Sequence, residues 1–147
     1  MLAARNPGDT RALFATAIWL RADRDGRVRY ASSGHNPMLR IAPSGESELL
    51  GSTGRPLGLL PGQEFEERRF QLDEDDLLCL FTDGLVEAAS PSGEEFGTGR
   101  IARLRGGSGA SPMELTRAIY WAVREHQTTS LLEDDLTFIV AARVPSN

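Results

Sequence analysis

Residues Leu77-Leu78-Cys79-Leu80-Phe81 have the length and composition of a buried strand, and the run stops abruptly at Thr82-Asp83-Gly84. A carboxylate therefore stands at the mouth of a core strand. Gly84 would let the backbone turn there, and Asp83, carried by a rigid element, could face a ligand or a metal. Alone, the triplet reads first as a strand-terminating turn. A second acidic strand end shifts the balance: Glu133-Asp134-Asp135 opens an apolar run from Leu136 to Ala141.

With 147 residues, 40% of them hydrophobic, the chain can bury one core and is short for two, so a single domain over 1–147 is expected. Sixteen basic residues against 21 acidic, a net charge of −5, argue against a nucleic-acid binder, which needs clustered Lys and Arg. No apolar span approaches the roughly 20 residues that cross a bilayer, and the N-terminus lacks a signal-peptide pattern, so no membrane partner and a cytoplasmic location are expected. Cys79 lies in the most apolar strand and reads as a small buried hydrophobe, with a reactive thiol as the alternative.

Residues 2–6 resemble the tail of a helix ended by Pro7-Gly8. Leu13 to Leu20 alternates as a strand with Phe14, Thr16, Ile18 and Leu20 on one face, and Asp25-Gly26 turns it into a second strand, Arg27 to Ser32. Ser33-Gly34-His35-Asn36-Pro37 breaks that strand, and Met38 to Ile41 forms a third, turned at Pro43 to Glu46. Ser52 to Gly58 is too rich in Gly and Pro for regular structure, and Leu59-Leu60 suggests a loop pinned to the core. Glu66 to Leu72 reads as an edge strand. Asp73 to Asp76 reads as a solvated acidic turn, because consecutive carboxylates diverge and repel. After a turn-rich stretch, Arg100 to Leu104 is a short helix, and Gly106 to Ala110 a surface loop. Ser111-Pro112-Met113-Glu114 matches a capping box that starts a helix packed through Leu115, Ala118, Ile119 and Ala122, with Met113, Trp121 and Val123 as further packing. The helix fades near His126, read as solvated, and Leu136 to Val144 is the last strand.

Five short motifs then stand in order: Tyr30-Ala31-Ser32-Ser33-Gly34-His35-Asn36-Pro37, Pro56-Leu57-Gly58, Phe81-Thr82-Asp83-Gly84-Leu85-Val86-Glu87-Ala88, Glu95-Phe96-Gly97 and Asp134-Asp135-Leu136-Thr137. Together they resemble the stage II sporulation protein E and RsbU type of metal-dependent serine/threonine phosphatase, related to the protein phosphatase 2C class. The resemblance covers about Leu13 to Val144. It implies an α+β fold, a β-sandwich of two mostly antiparallel sheets with a helical layer outside each. It also implies two Mn or Mg ions, with Asp83 and Asp134 as metal ligands and Asp135 and Gly84 beside the site. His35 and Asn36 belong to a neighbouring loop: His35 either holds that loop or assists a ligand or proton transfer, and Glu87 is either a partner of the site or a surface acid. Hard divalent ions take carboxylate oxygens, and a pair of them can activate water for in-line attack on a phosphoryl group. No triad is then needed, and the two histidines form none.

The family pattern also has an N-terminal portion with a Gly-Asp strand and an Asp-Val-Ser-Gly-like turn that supply further ligands, and nothing like it precedes Leu13. The expectation is an N-terminally incomplete family domain with low or no activity in isolation, because a dinuclear site without its bridging carboxylate holds its ions poorly. Exposed sheet edges would favour a homodimer. The leading function is hydrolysis of phosphoserine or phosphothreonine on a regulatory protein, such as an anti-sigma-factor antagonist. The alternatives are a phosphatase-like binding module without catalysis, and a calcium-binding sandwich.

Overall fold

The computed structural model describes residues 13–105, 110–128 and 135–143. Two antiparallel sheets form a sandwich. One contains β1 (Ala17–Ala22), β2 (Arg27–Ser33) and β5 (Arg68–Gln71) in the order β1-β2-β5. The other contains β3 (Met38–Ile41), β4 (Ser47–Leu50), β6 (Leu77–Phe81) and β7 (Phe138–Ala142) in the order β4-β3-β6-β7. Among the described residues, three helices follow β6 in sequence: α1 (Asp83–Val86), α2 (Thr98–Arg103) and α3 (Pro112–Gln127).

The strand period explains the layers. In β6, Leu77, Cys79 and Phe81 point to one side and meet Leu85, Ile101, Leu115, Ile119 and Val123 of the three helices. Leu78 and Leu80 point to the other side and meet Val28, Tyr30, Met38, Leu50 and Leu72 between the sheets. A central strand apolar on both faces is what a layer sandwiched between two others requires. The described helices all join the first cluster; among the described residues, none joins the cluster between the sheets.

The expected hairpin forms, with Ala22 paired to Val28 and Gly26 at φ 85 in the turn. Its first strand starts later than predicted, at Ala17: Ile18 and Leu20 pack inward, whereas Phe14 is exposed. Leu59 and Leu60 are exposed rather than pinned to the core. β5 lies at a sheet edge, as its composition suggested. β4, after the turn at Pro43 to Glu46, was not singled out by the sequence; it pairs Leu49 with Leu39 of β3. The helical tail expected at residues 2–6 and most of the loop from Gly106 lie outside the described residues.

α3 starts as its sequence specifies. Ser111 Oγ accepts from the Glu114 amide at 3.2 Å, Glu114 Oε2 accepts from the Ser111 amide at 2.7 Å, and Pro112 occupies the first turn. Leu115, Ile119, Val123 and Gln127 are its buried residues, one per turn. Met113 and Trp121 are exposed, against the expectation that they pack. His126 is half-buried rather than solvated: its Nε2 lies 2.7 Å from the Glu94 carbonyl, and its ring meets the Phe96 ring edge-on.

Another departure is at the acidic turn. Asp76 is 1% exposed, and its Oδ2 accepts from Arg40 Nε at 2.8 Å and from the Asp73 amide at 2.9 Å. One carboxylate of the four is thus folded inward as the anchor of the turn, because Arg40, from the neighbouring strand β3, supplies the compensating charge.

Candidate active site

β6 delivers Thr82 and Asp83 to the end of the four-stranded sheet. Thr82 is extended, with φ −85 and ψ 167, and its amide donates to the Thr137 carbonyl at 3.1 Å, which extends the β6–β7 pairing by one rung. Asp83 then opens the single helical turn α1, with its Oδ1 accepting from the Gly84 amide at 3.0 Å. The Thr-Asp-Gly triplet is therefore a strand-to-helix junction rather than the sharp glycine turn predicted. Gly84 lies within α1 and is not among the glycines with positive φ.

The opposing wall comes from the end of β2. Gly34 has φ 63, and a Cβ placed on it would lie 2.4 Å from Pro56 Cγ, so the Ser33-Gly34-His35 turn and the Pro56 loop are in direct contact. His35 Nδ1 lies 3.2 Å from the Asn36 carbonyl; since a carbonyl only accepts, Nδ1 carries the proton in that contact and Nε2 is left as the other polar atom. Thr16, Gly34, His35, Asn36, Thr82 and the exposed Asp83 line an open hollow of about 140 Å³. At about 30 Å³ per water, it holds roughly four or five waters, or one small oxyanion.

Of the residues singled out in the sequence, Asp83, His35 and Asn36 share this hollow, 47 positions apart in the case of Asn36 and Asp83. Glu87 does not reach it; its amide caps α1 on the Asp83 carbonyl, and its side chain is exposed. Asp135 is exposed and lies on the segment that enters β7 beside Thr82, without lining the hollow. Asp134 lies outside the described residues. Thr16 was missed, because a threonine in an alternating strand carries no local sign of a site.

Carboxylate, hydroxyl, amide and imidazole are the donors that a hard divalent ion accepts, so the hollow suits Mn or Mg in kind. In number it supplies one carboxylate: among the described residues, no group of three or more His, Cys, Asp and Glu side chains converges. These residues suit a divalent ion in kind, and the described residues do not complete a site for one. Elsewhere, burial pushes the Cys79 thiol up to about 12, which makes it a core residue rather than a nucleophile. Among the described residues, no helix is long and apolar enough to cross a membrane.

The two antiparallel sheets with few helices match the structures of protein phosphatase 2C-like domains. The phosphatase domain of the cell-fate determinant SpoIIE from Bacillus subtilis, presoaked with Mn, superimposes with a TM-score of 0.66 at 19% identity, over 90% of this chain and 57% of that one. The stage II sporulation protein E (SpoIIE) family matches residues 2–144, and the chain belongs to that family. Among curated relatives it is 29% identical to protein IcfG of Synechocystis over 133 residues, 90% of this chain and 21% of that protein. It is 36% identical to the phosphoserine phosphatase RsbP of Bacillus subtilis over 75 residues, 50% of this chain and 19% of that protein. The chain thus spans about a fifth of the length of the curated relatives it matches.

Proposed function

We propose that this chain is a metal-dependent protein serine/threonine phosphatase domain that acts on a phosphorylated regulatory protein, of the kind found in sigma-factor signalling. The observation that carries the reading is the convergence of Asp83 with the Gly34-His35-Asn36 turn around one small polar hollow. Family membership and the name of the relative RsbP, a phosphoserine phosphatase, point the same way.

Within this reading, Asp83 and Asp134 hold a divalent ion, which supplies charge neutralisation at the phosphoryl oxygens and activation of the attacking water. Asp83 can serve because among the described residues no arginine or lysine lies within ion-pair distance of it, and one of its oxygens is committed only to the Gly84 amide. The hydroxyl of Thr16 and the Asn36 amide bind and orient the phosphate, the Thr82 hydroxyl being donated to the Thr137 carbonyl at 3.4 Å, and His35 Nε2 accepts or returns a proton. Asp135 and Glu87 lie outside this contact set.

The test is Mn-dependent hydrolysis of p-nitrophenyl phosphate and of a phosphoserine peptide, with Mn binding followed by electron paramagnetic resonance. Asp83→Asn and Asp134→Asn should each abolish turnover and weaken Mn binding. A second reading, a phosphatase-like module that binds without catalysis, has its own support in the single carboxylate that the described residues bring to the hollow. A chain that binds the phosphopeptide and does not turn it over would establish that reading instead.

A further inference from the structure

The loop at 51–57 is tied to the end of β2 by an unusual density of bonds. Ser33 Oγ and Gln63 Nε2 both donate to the Arg55 carbonyl at 2.9 Å. The Gly34 amide donates to the Gly54 carbonyl at 2.9 Å, and the Thr53 and Gly54 amides donate to the Ser32 carbonyl at 2.9 and 3.0 Å. Pro56 packs on Gly34, which lines the hollow. The backbone of Arg55 is therefore held beside Pro56, which packs on Gly34, a residue of the wall.

Its side chain is treated differently. Arg21, Arg29, Arg40 and Arg69 each have a carboxylate within 3.5 Å. The exposed Arg55 guanidinium, like those of Arg24 and Arg103, has no hydrogen-bond or ion-pair partner among the described residues; what distinguishes Arg55 is that its loop packs on Gly34 of the hollow. A fixed backbone carrying an unsatisfied fork of donors, next to a hollow whose own charged group is a carboxylate, is arranged for an anion that arrives from outside. Little ordering of the chain remains to be done when such an anion binds.

We infer that Arg55 is a specificity-determining residue that pairs with an anionic group on the substrate protein, either the phosphoryl group or a carboxylate flanking it. This rests on the phosphatase reading for the identity of the substrate. Arginine suits both oxyanions through two parallel N–H bonds, and lysine, a point charge, replaces it only in part.

The experiment compares wild type, Arg55→Ala and Arg55→Lys for binding of fluorescent phosphoserine peptides, with and without acidic residues around the phosphoserine, by anisotropy in the presence of Mn. Inorganic phosphate serves as competitor, and steady-state hydrolysis of the same peptides is measured alongside. Arg55→Ala should bind roughly ten- to a hundredfold more weakly and raise KM with kcat little changed, and Arg55→Lys should recover part of the loss. An equal loss for both peptides and for phosphate assigns the contact to the phosphoryl group; a loss confined to the acidic peptide assigns it to the carboxylate. Thermal unfolding should not move, because the loop is held by the Arg55 carbonyl and not by its side chain. Binding by Arg55→Ala within twofold of wild type for every ligand overturns the assignment while leaving the phosphatase reading intact. A wild-type chain that binds no phosphopeptide overturns both.

Discussion

Removing the inward-folded carboxylate of Asp76 tests the reasoning about the core most directly. Its Oδ2 accepts from Arg40 Nε at 2.8 Å and from the Asp73 amide at 2.9 Å, and lies 2.7 Å from Arg40 Nη2. Breaking a buried ion pair by deleting one partner costs about 3–5 kcal/mol, because the other charge is left uncompensated. Here the Arg40 side chain is 23% exposed and keeps Asp73 at 3.2 Å and Glu48 at 3.6 Å, so its residual charge is partly met. Asp76→Ala should therefore cost about 2–3 kcal/mol, which for a domain of this size lowers the melting temperature by roughly 5–10 °C. Asp76→Asn retains an oxygen for the Asp73 amide and should cost about 1–2 kcal/mol. The joint replacement Arg40→Met/Asp76→Leu should cost less than Asp76→Ala alone, since no unpaired charge remains. Urea unfolding at neutral pH measures all three. A loss below about 0.5 kcal/mol for Asp76→Ala would place the pair with ordinary surface ion pairs and refute the argument.

The α3 cap should show a pH signature. The backbone bond from Ser111 holds the Glu114 carboxyl below the ordinary glutamate range, so its contribution is complete above that range and is lost as pH falls through the lowered value. Glu114→Gln should flatten the acid limb of a stability–pH curve, and Ser111→Ala should cost about 1 kcal/mol by denaturant titration. Gly34→Ala must both hold φ 63 and displace Pro56 from 2.4 Å, a cost of about 2–4 kcal/mol, whereas Gly45→Ala, at φ 87 with nothing within 4 Å, carries only the backbone strain of about 1–2 kcal/mol. Chemical denaturation of the two variants separates the terms. Cys79, with its thiol pushed up to about 12 by burial, should resist iodoacetamide in the native protein and react on unfolding, as followed by mass spectrometry.

Much of the fold was legible in local pattern. The alternation and length of Leu77 to Phe81, the Asp25-Gly26 turn and the Ser111-Pro112-Met113-Glu114 cap are decided by residues within a few positions of each other, and each appears as its chemistry dictates. The local pattern did not say which acid of Asp73 to Asp76 would turn inward, because that depends on Arg40, 36 residues away. Nor did it say that Met113 and Trp121 would face outward, since a helix with apolar residues on several sides can bury only the side that the sheet meets. The residue types of the site, a carboxylate after a core strand and a Gly-His-Asn turn, are written in the chain. Their meeting is not: it follows from strands β2 and β6 lying in opposite sheets whose ends approach each other, a long-range arrangement that no window of neighbouring residues contains.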